Sequence, residues 1–233
     1  MGFVGWLLAL GLGVAVAPKI YHRLIFKLPA IQQDNWRQIL AFRQGELSVP
    51  WLDSRPLILF TGDSEIELGR WYDLFGGRWA VRNGGLSSAK ITDVTALVSA
   101  MRDSHPRAVV VMCGINSLFA HIPVETCAQE YAALLTSIRA RLEPDSILVL
   151  SVMPLRESPV DRATHEMNLN VARLNHLLKS VCAKNQATFI NVNQAMTDAD
   201  GGLTDKFTFD GLHLNNEGYR QLAVVIAGYL PLP

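Results

Sequence analysis

The sequence lacks an excess of charge of either sign, paired cysteines and a glycine-rich phosphate loop. Among its 233 residues, 21 are Lys or Arg and 21 are Asp or Glu, so the formal net charge is zero. A neutral chain has no broad basic field to attract nucleic acid, which is therefore not an expected partner. The three cysteines are widely spaced, form no Cys-x-x-Cys pair and indicate free, buried thiols. No Gly-x-Gly-x-x-Gly or Walker-type motif is present, which argues against a nucleotide-binding module.

The sequence also lacks an apolar run of about 20 residues, the length that crosses a bilayer. Residues 3–17 are apolar or glycine, and Pro18 and Lys19 follow them. Flanking residues can extend this run, so we expect an N-terminal hydrophobic helix that forms an uncleaved membrane anchor and stem over residues 1–30. A cleaved signal peptide ending at Ala17, or a helix packed on protein, are the alternatives. The basic residues after the run favour a body on the cytoplasmic face of the membrane, and a periplasmic or other extracytoplasmic location stays open.

The remainder, residues 31–233, contains no linker, repeat or low-complexity tract and is expected to form one domain. Short apolar runs alternate with longer helical patterns, which predicts βαβ units around a parallel sheet. Runs such as Val109-Val110-Val111 show no polar alternation and should be buried on both faces. Strands are predicted at 57–61, 79–82, 108–113, 147–152 and 188–192, and helices at 33–45, 65–75, 89–101, 124–142, 162–184 and 216–229.

Polar segments follow the first three predicted strands, and a fourth precedes the last predicted helix. They read Gly62-Asp63-Ser64, Asn83-Gly84-Gly85, Gly114-Ile115-Asn116-Ser117 and Asp210-Gly211-Leu212-His213. Each segment taken singly is ordinary turn chemistry. In open α/β sheets, however, ligands bind outside the carboxyl ends of the strands, so we expect these segments to meet at one edge.

Together these segments contain the groups that acyl transfer requires. Ser64 is the candidate nucleophile, His213 the candidate base, and Asp210 can hold the imidazole in the tautomer that leaves its other nitrogen free for the serine. Candidate oxyanion donors are the backbone N–H groups of Ser64 and Gly85 and the carboxamide of Asn116. The loops 115–123 and 154–162 should flank the site and offer apolar side chains to a small acyl group.

These four segments resemble the blocks of the SGNH (GDSL-type) hydrolase superfamily. The resemblance covers residues 56–230 in the correct order: Gly62-Asp63-Ser64 matches the first block, Asn83 and Gly85 the second, Gly114 and Asn116 the third, and Asp210 and His213 the last. It implies a three-layer α/β/α, flavodoxin-like fold with a five-stranded parallel sheet. It also implies that Ser64, Asp210 and His213 are catalytic.

Two positions depart from the family pattern. Glu65 replaces the leucine or isoleucine that often follows the serine, and we interpret it as an acid favoured by the dipole in the first turn of a helix. Ser117 replaces an aspartate, which leaves the Asn116 donor intact and puts the anchoring of that loop in question.

The sequence therefore predicts a membrane-tethered serine esterase that hydrolyses carboxylic esters of a small-acyl, lipid or glycan substrate through an acyl-enzyme. The mechanism requires no organic cofactor. No metal is expected either, because Asp198 and Asp200 lie in a turn without metal-ligand spacing. An O-acyltransferase that uses the same serine, or a catalytically silent binding protein with this fold, are the alternatives. The sequence makes no prediction of the oligomeric state.

Overall fold

The computed structural model describes residues 30–101, 105–157 and 162–231. Within them the strands are β1 (Leu57–Gly62), β2 (Ala80–Gly85), β3 (Ala108–Met112), β4 (Ser146–Leu150) and β5 (Thr188–Ile190). The helices are α1 (Ala30–Ser48), α2 (Ser64–Glu67), α3 (Trp71–Phe75), α4 (Ile91–Ala100), α5 (Ile115–Phe119), α6 (Val124–Leu142), α7 (Arg162–Lys184), α8 (Asn193–Met196) and α9 (Asn216–Ala227).

The strands form one parallel sheet in the order β2-β1-β3-β4-β5. This is the flavodoxin-like order, in which the chain reverses direction across the sheet between β1 and β3 and opens a crevice at their carboxyl ends. Gly62 at the end of β1 lies in register with Gly85 of β2 on one side and Met112 of β3 on the other. The five predicted strands and their parallel arrangement are confirmed.

Both faces of the sheet are buried, as the unbroken apolar runs predict. In β3, Val109 and Val111 face one hydrophobic cluster while Val110 and Met112 face another, because successive residues of a strand point to opposite sides. The first cluster is completed by α1, α4, α6 and α7, and the second by α3, α8 and α9. Two helical layers therefore enclose the central strands, and the polar strand ends are left as the accessible edge.

The single helix predicted over 65–75 is wrong. The chain forms two short helices there, α2 and α3. They are separated by a turn at residues 68–70, which brings Trp71 against one face of the sheet. The Trp71 ring stacks on Phe60 at 4.3 Å between centroids, and its Nε1–H donates to the carbonyl of Ile66 at 2.7 Å. A Cβ on Gly69 would lie 2.2 Å from that indole. The break therefore results from close packing of an aromatic side chain, which periodicity does not reveal.

Helix α1 is longer than the prediction of 33–45 and passes through Gly45 without ending there. Trp36 and Leu40 pack against the core, whereas Ile39 and Phe42 are 49% and 70% exposed. These four apolar residues therefore lie on two faces of the helix, and the face with Trp36 and Leu40 packs against the domain.

The predicted N-terminal anchor over residues 1–30 lies outside the described residues except for Ala30, the first residue of α1. Across the described ranges 30–101, 105–157 and 162–231, no helix has both the length and the apolar character needed to cross a bilayer.

Candidate active site

Ser64 stands at the carboxyl end of β1, on the first turn of α2. Asp63 precedes the helix as its N-cap, and its side chain accepts a hydrogen bond from the Glu65 N–H at 3.1 Å. Gly62 permits β1 to run close to β3, since a Cβ there would lie 1.9 Å from the Met112 carbonyl oxygen. Among the described residues, no hydrogen bond is found for the Ser64 backbone N–H, which is one of the unpaired donors of a helix start.

His213 connects Ser64 to Asp210. Its Nε2 lies 3.1 Å from the Ser64 hydroxyl oxygen, and its Nδ1 lies 2.7 Å from Oδ2 of Asp210. With the Nδ1 proton donated to the carboxylate, Nε2 presents a lone pair to the serine hydroxyl. The three side chains therefore form one continuous hydrogen-bonded chain, as their sequence spacing predicted.

The loop before α9 holds Asp210 in place through its backbone. Oδ1 of Asp210 accepts the N–H groups of Leu212 at 2.9 Å and His213 at 2.7 Å, and Gly211 turns the chain at a φ of +90°. Burial raises the pKa of the Asp210 carboxyl, but the hydrogen bonds from the His213 ring and from these backbone groups lower it by more, and the net pKa lies below its usual value. The carboxylate is consequently charged at neutral pH.

Asn116 approaches Ser64 from the end of β3. Gly114, at a φ of +133°, starts α5 and brings Asn116 to the same pocket. One Nδ2 hydrogen of Asn116 bonds the Ala89 carbonyl at 3.1 Å, which leaves its second hydrogen for another acceptor. The neighbouring Ser117 is fully buried, and its hydroxyl oxygen accepts the Ile91 N–H at 3.2 Å. This serine anchors α5 to the start of α4, so the departure from aspartate does not free the loop.

The structure does not bring Gly85 to the pocket in the way the sequence analysis predicted. Its N–H donates to Oδ1 of Asn83 at 2.9 Å, while Nδ2 of Asn83 donates to the Ile66 carbonyl at 2.9 Å, at the end of α2. A Cβ on Gly85 would lie 2.3 Å from the Glu67 backbone nitrogen. The glycine is needed because β2 and α2 approach closely, and its N–H is already satisfied. The prediction of Gly85 as an oxyanion donor is therefore corrected on geometric grounds.

Ser88, three residues further on, lies at the pocket that Gly85 does not line. It lines the same pocket as Ser64 and Asn116, at a φ of +64° that disfavours residues other than glycine. No hydrogen bond is found for its N–H among the residues that the structure describes. Sequence reasoning missed Ser88 because a serine in this conformation has no signature, whereas the nearby glycines attract attention.

The pocket in front of Ser64 has a volume of about 300 Å³, which is at the lower end for small-molecule sites. Its polar lining is formed by Ser64, Ser87, Ser88, Asn116, Asp210 and His213, and its apolar lining by Leu68, Phe119, Phe209 and Leu212. Of the predicted flanking loops, the first contributes an apolar wall through Phe119, and no described residue of the second lines the pocket. Leu68, Phe209 and Leu212 were not predicted, although the last two lie within or beside the Asp-Gly-Leu-His segment.

A wider groove of about 770 Å³ adjoins this pocket, and Leu68 and Phe209 line both. Both side chains are exposed, at 48% and 66%, and the Phe209 ring stacks on the His213 ring at 5.9 Å between centroids. The groove continues over α3 and α9 to Arg70 and Arg220. A substrate can therefore extend beyond the small pocket along a partly apolar surface.

Two buried carboxyl groups lie behind the nucleophile. Glu65 is 4% exposed, and neither of its carboxyl oxygens has a hydrogen-bond partner within the described part of the chain. Burial raises its pKa well above the usual value, and the charge of Asp63 raises it further. Burial also raises the pKa of Asp63, to about 7. Glu65 lies in the first turn of α2, as the sequence predicted, but the helix turns its side chain inward, and its burial was not predicted.

Across the described ranges, no group of three or more His, Cys, Asp or Glu side chains is arranged to hold a metal ion.

A hydrogen-bonded serine, histidine and aspartate at the carboxyl edge of a parallel sheet are typical of α/β serine hydrolases. The model of the GDSL-like lipase/acylhydrolase family matches residues 60–221, which include all of these side chains. The chain therefore belongs to the GDSL-like lipase/acylhydrolase family and is an esterase or acylhydrolase.

Relatives and solved structures agree with this assignment. Platelet-activating factor acetylhydrolase IB subunit alpha2 of Rattus norvegicus and of Homo sapiens are each 27% identical over 195 residues, covering 73% of this chain and 74% of theirs. A Bacteroides thetaiotaomicron GDSL-like lipase superimposes with a TM-score of 0.67 at 20% identity, over 83% of this chain and 96% of the other. A lipase/acylhydrolase from Enterococcus faecalis gives 0.58 at 21% identity, over 75% and 94%. These structural likenesses show the fold.

Proposed function

We propose that the protein is a serine esterase in which Ser64 attacks the carbonyl carbon of an ester, with His213 as base and Asp210 as its orienting acid. His213 takes the hydroxyl proton as the new C–O bond forms, and returns it to the alcohol oxygen as the ester bond breaks. Water, activated by the same imidazole, then releases the acid from Ser64. The observation that carries this proposal is the Ser64–His213–Asp210 hydrogen-bond chain.

The negative charge that develops on the carbonyl oxygen needs donors. The Ser64 N–H and the second Nδ2 hydrogen of Asn116 have no acceptor among the described residues, and we assign both to this role. We assign the third donor to the Ser88 N–H in place of Gly85, because Ser88 lines the pocket and the Gly85 N–H is occupied. Removal of one donor from such a hole costs about 2.7–4 kcal/mol of transition-state stabilisation.

The size of the pocket supports a short acyl group. A volume of about 300 Å³ with four apolar side chains leaves little room for a long chain, and the adjoining groove offers space for the alcohol part of the ester. Relatives named acetylhydrolases are consistent with a small acyl group. Lipid and glycan alcohols both remain candidates for the second part of the substrate.

The experiment is hydrolysis of p-nitrophenyl acetate by the wild type, Ser64→Ala and His213→Ala, with Ser180→Ala as a matched surface control. We expect both site variants to lose hydrolysis by at least a thousandfold, as removal of a triad member does elsewhere, while the control keeps it. Labelling by a fluorophosphonate, located by mass spectrometry, should fall on Ser64. Substantial hydrolysis by Ser64→Ala would refute the mechanism.

An acyltransferase would use the same acyl-enzyme with another hydroxyl in place of water. The open groove beside Ser64 could admit such an acceptor. Measuring acyl release with and without candidate alcohols separates the two reactions, since transfer yields a new ester and hydrolysis a free acid.

The proposed membrane tether is independent of this chemistry. The apolar run at residues 3–17 supports it, and the basic residues that follow favour a catalytic domain, residues 31–233, on the cytoplasmic face. Full-length protein should sediment with membranes and a chain that starts at Gln33 should not. Equal distribution of the two would contradict the tether.

A further inference from the structure

Glu67 links the helix that carries Ser64 to the loop that carries Ser88. It lies in α2, three residues after Ser64. Its Oε2 accepts the backbone N–H of Ser87 at 2.8 Å and also accepts the hydroxyl of Ser87. Both bonds end on a carboxylate, and hydrogen bonds to charged groups contribute more than those between neutral groups. One side chain thus holds Ser87 by its main chain and its side chain together.

The segment around Ser87 is a tight turn in an unfavourable backbone conformation. Residues 86–89 form a turn closed by the Ala89 N–H to the Leu86 carbonyl at 3.1 Å. Ser88 is its third residue, where a φ of +64° suits glycine and costs a residue with a Cβ roughly 1–2 kcal/mol. The central peptide, between Ser87 and Ser88, takes no part in the bond that closes the turn. Other contacts must therefore fix its orientation.

Two side chains bind the turn at residues next to that peptide. Glu67 holds the Ser87 end, and Asn116 donates to the Ala89 carbonyl at 3.1 Å. The Leu86 N–H also bonds the Gly62 carbonyl at 3.0 Å, which ties the start of the turn to β1. The Glu67 bonds are adjacent to the central peptide, because they hold the Leu86–Ser87 peptide that precedes it and the side chain of Ser87.

We propose that Glu67 is a positioning residue, which holds the Ser87–Ser88 peptide so that the Ser88 N–H points at the carbonyl oxygen of the bound ester. This inference deepens the proposed function and rests on it. Because Glu67 belongs to the same four-residue helix as Ser64, it sets the nucleophile and the third donor at a fixed separation. Its effect should appear in the transition state, where negative charge collects on that oxygen, and much less in substrate binding.

The kinetic test compares Glu67→Ala, Glu67→Gln and a matched control, Glu125→Ala, whose exposed carboxylate pairs with Arg173 and does not line the pocket. We expect Glu67→Ala to lower kcat for p-nitrophenyl acetate about tenfold, with KM changed less than twofold. Glu67→Gln should recover most of the loss, since its amide oxygen still accepts the Ser87 N–H. A role confined to loop stability would lower the melting temperature and leave kcat at the wild-type value, which would overturn the proposal.

A spectroscopic test examines the donor itself. Protein with 15N-serine and 15N-glycine is treated with a p-nitrophenyl phosphonate, which leaves a phosphonyl oxygen where the ester oxyanion would lie. We expect the amide protons of Ser64 and Ser88 to move downfield on adduct formation in the wild type, and the Ser88 shift to shrink in Glu67→Ala. A Gly85 amide that moves while Ser88 stays would overturn the assignment.

The proposed function and the role of Glu67 can be refuted separately. Activity retained by Ser64→Ala would remove the proposed function. An inactive Ser64→Ala together with a fully active Glu67→Ala would leave that function standing and remove only the positioning role of Glu67.

Discussion

The imidazole of His213 lies 3.1 Å from the hydroxyl of Ser64, although 149 positions separate the two residues along the chain. Their meeting depends on the parallel sheet, which places Ser64 after β1, and on the loop that precedes α9, which returns His213 to the same edge. This arrangement and the groups packed around it lead to five testable predictions.

Replacing Asp210 by asparagine should lower kcat by roughly 10⁴-fold, the loss seen when the imidazole of a triad is held in the wrong tautomer. An amide cannot offer two carboxylate oxygens to the His213 ring and backbone. Steady-state kinetics at pH 8 would measure the effect. Asp205→Asn is the matched control, because Asp205 is an exposed carboxylate paired with Arg156. Equal activity of the two variants would contradict the role of Asp210.

Gly85→Ala should destabilise the fold by roughly 1–3 kcal/mol, because the added methyl overlaps the α2 backbone, 2.3 Å from the Glu67 nitrogen. Urea unfolding would measure the free energy of unfolding. Gly77→Ala is the control, since no atom lies within 4 Å of a Cβ at that position. Unchanged stability of Gly85→Ala would show that β2 and α2 can separate at low cost.

The stability of the protein should decrease as the pH rises from about 4 to above 7. The pKa of the Asp63 carboxyl is raised to about 7, and that of Glu65 is raised as well. A raised folded-state pKa contributes stability below the unfolded value, and this contribution is lost as the pH passes through the folded value. Melting temperatures across this range would test the sign.

Glu65→Leu should weaken that pH dependence and stabilise the protein most at pH 8, because it removes a buried carboxyl whose oxygens have no partner in the described structure. The exposed Glu166→Leu provides the comparison. Should both variants retain the slope of the wild type, Glu65 would not be its source.

Phe119→Ala should shift the preferred substrate toward longer acyl chains, because Phe119 closes one apolar side of the 300 Å³ pocket. A series of p-nitrophenyl esters from acetate to octanoate would measure kcat/KM against chain length. Phe42→Ala, which changes an exposed ring on α1, is the control. An unaltered profile would indicate that the acyl chain lies elsewhere, for example along the adjoining groove.

The sequence was sufficient for the sheet, since each strand is a short apolar run with polar turn residues at its carboxyl end. It was also sufficient to predict that Ser64, Asp210, His213 and Asn116 lie close together. That prediction needs only the position of each segment at the end of a strand or before the last helix, and the Asp-x-x-His spacing. Local spacing and strand order can both be inferred directly from the types of residue along the chain.

The close packing at Gly85, the position of Ser88 at the pocket and the burial of Glu65 were not predicted, for a different reason. Gly85 looks like an approach point for substrate, but the space that it opens is filled by α2. Ser88 adopts a glycine-like φ because contacts made by its neighbours hold the turn. A serine in the sequence gives no indication of such a φ. The direction in which Glu65 points depends on how a four-residue helix meets α9, which a residue pattern this short cannot specify.

The C-terminal half of helix α1 contacts β2 beside the candidate active site. Arg43 donates from Nη2 to the Asn83 carbonyl at 2.8 Å and from Nε to the Gly85 carbonyl at 3.2 Å. Because a helix rises about 1.5 Å per residue, Ala30 lies about 20 Å along α1 from Arg43. Helix α1 thus connects Ala30 to the carbonyl groups of Asn83 and Gly85 in β2, and a displacement of α1 would act on β2, beside the turn that carries Ser88.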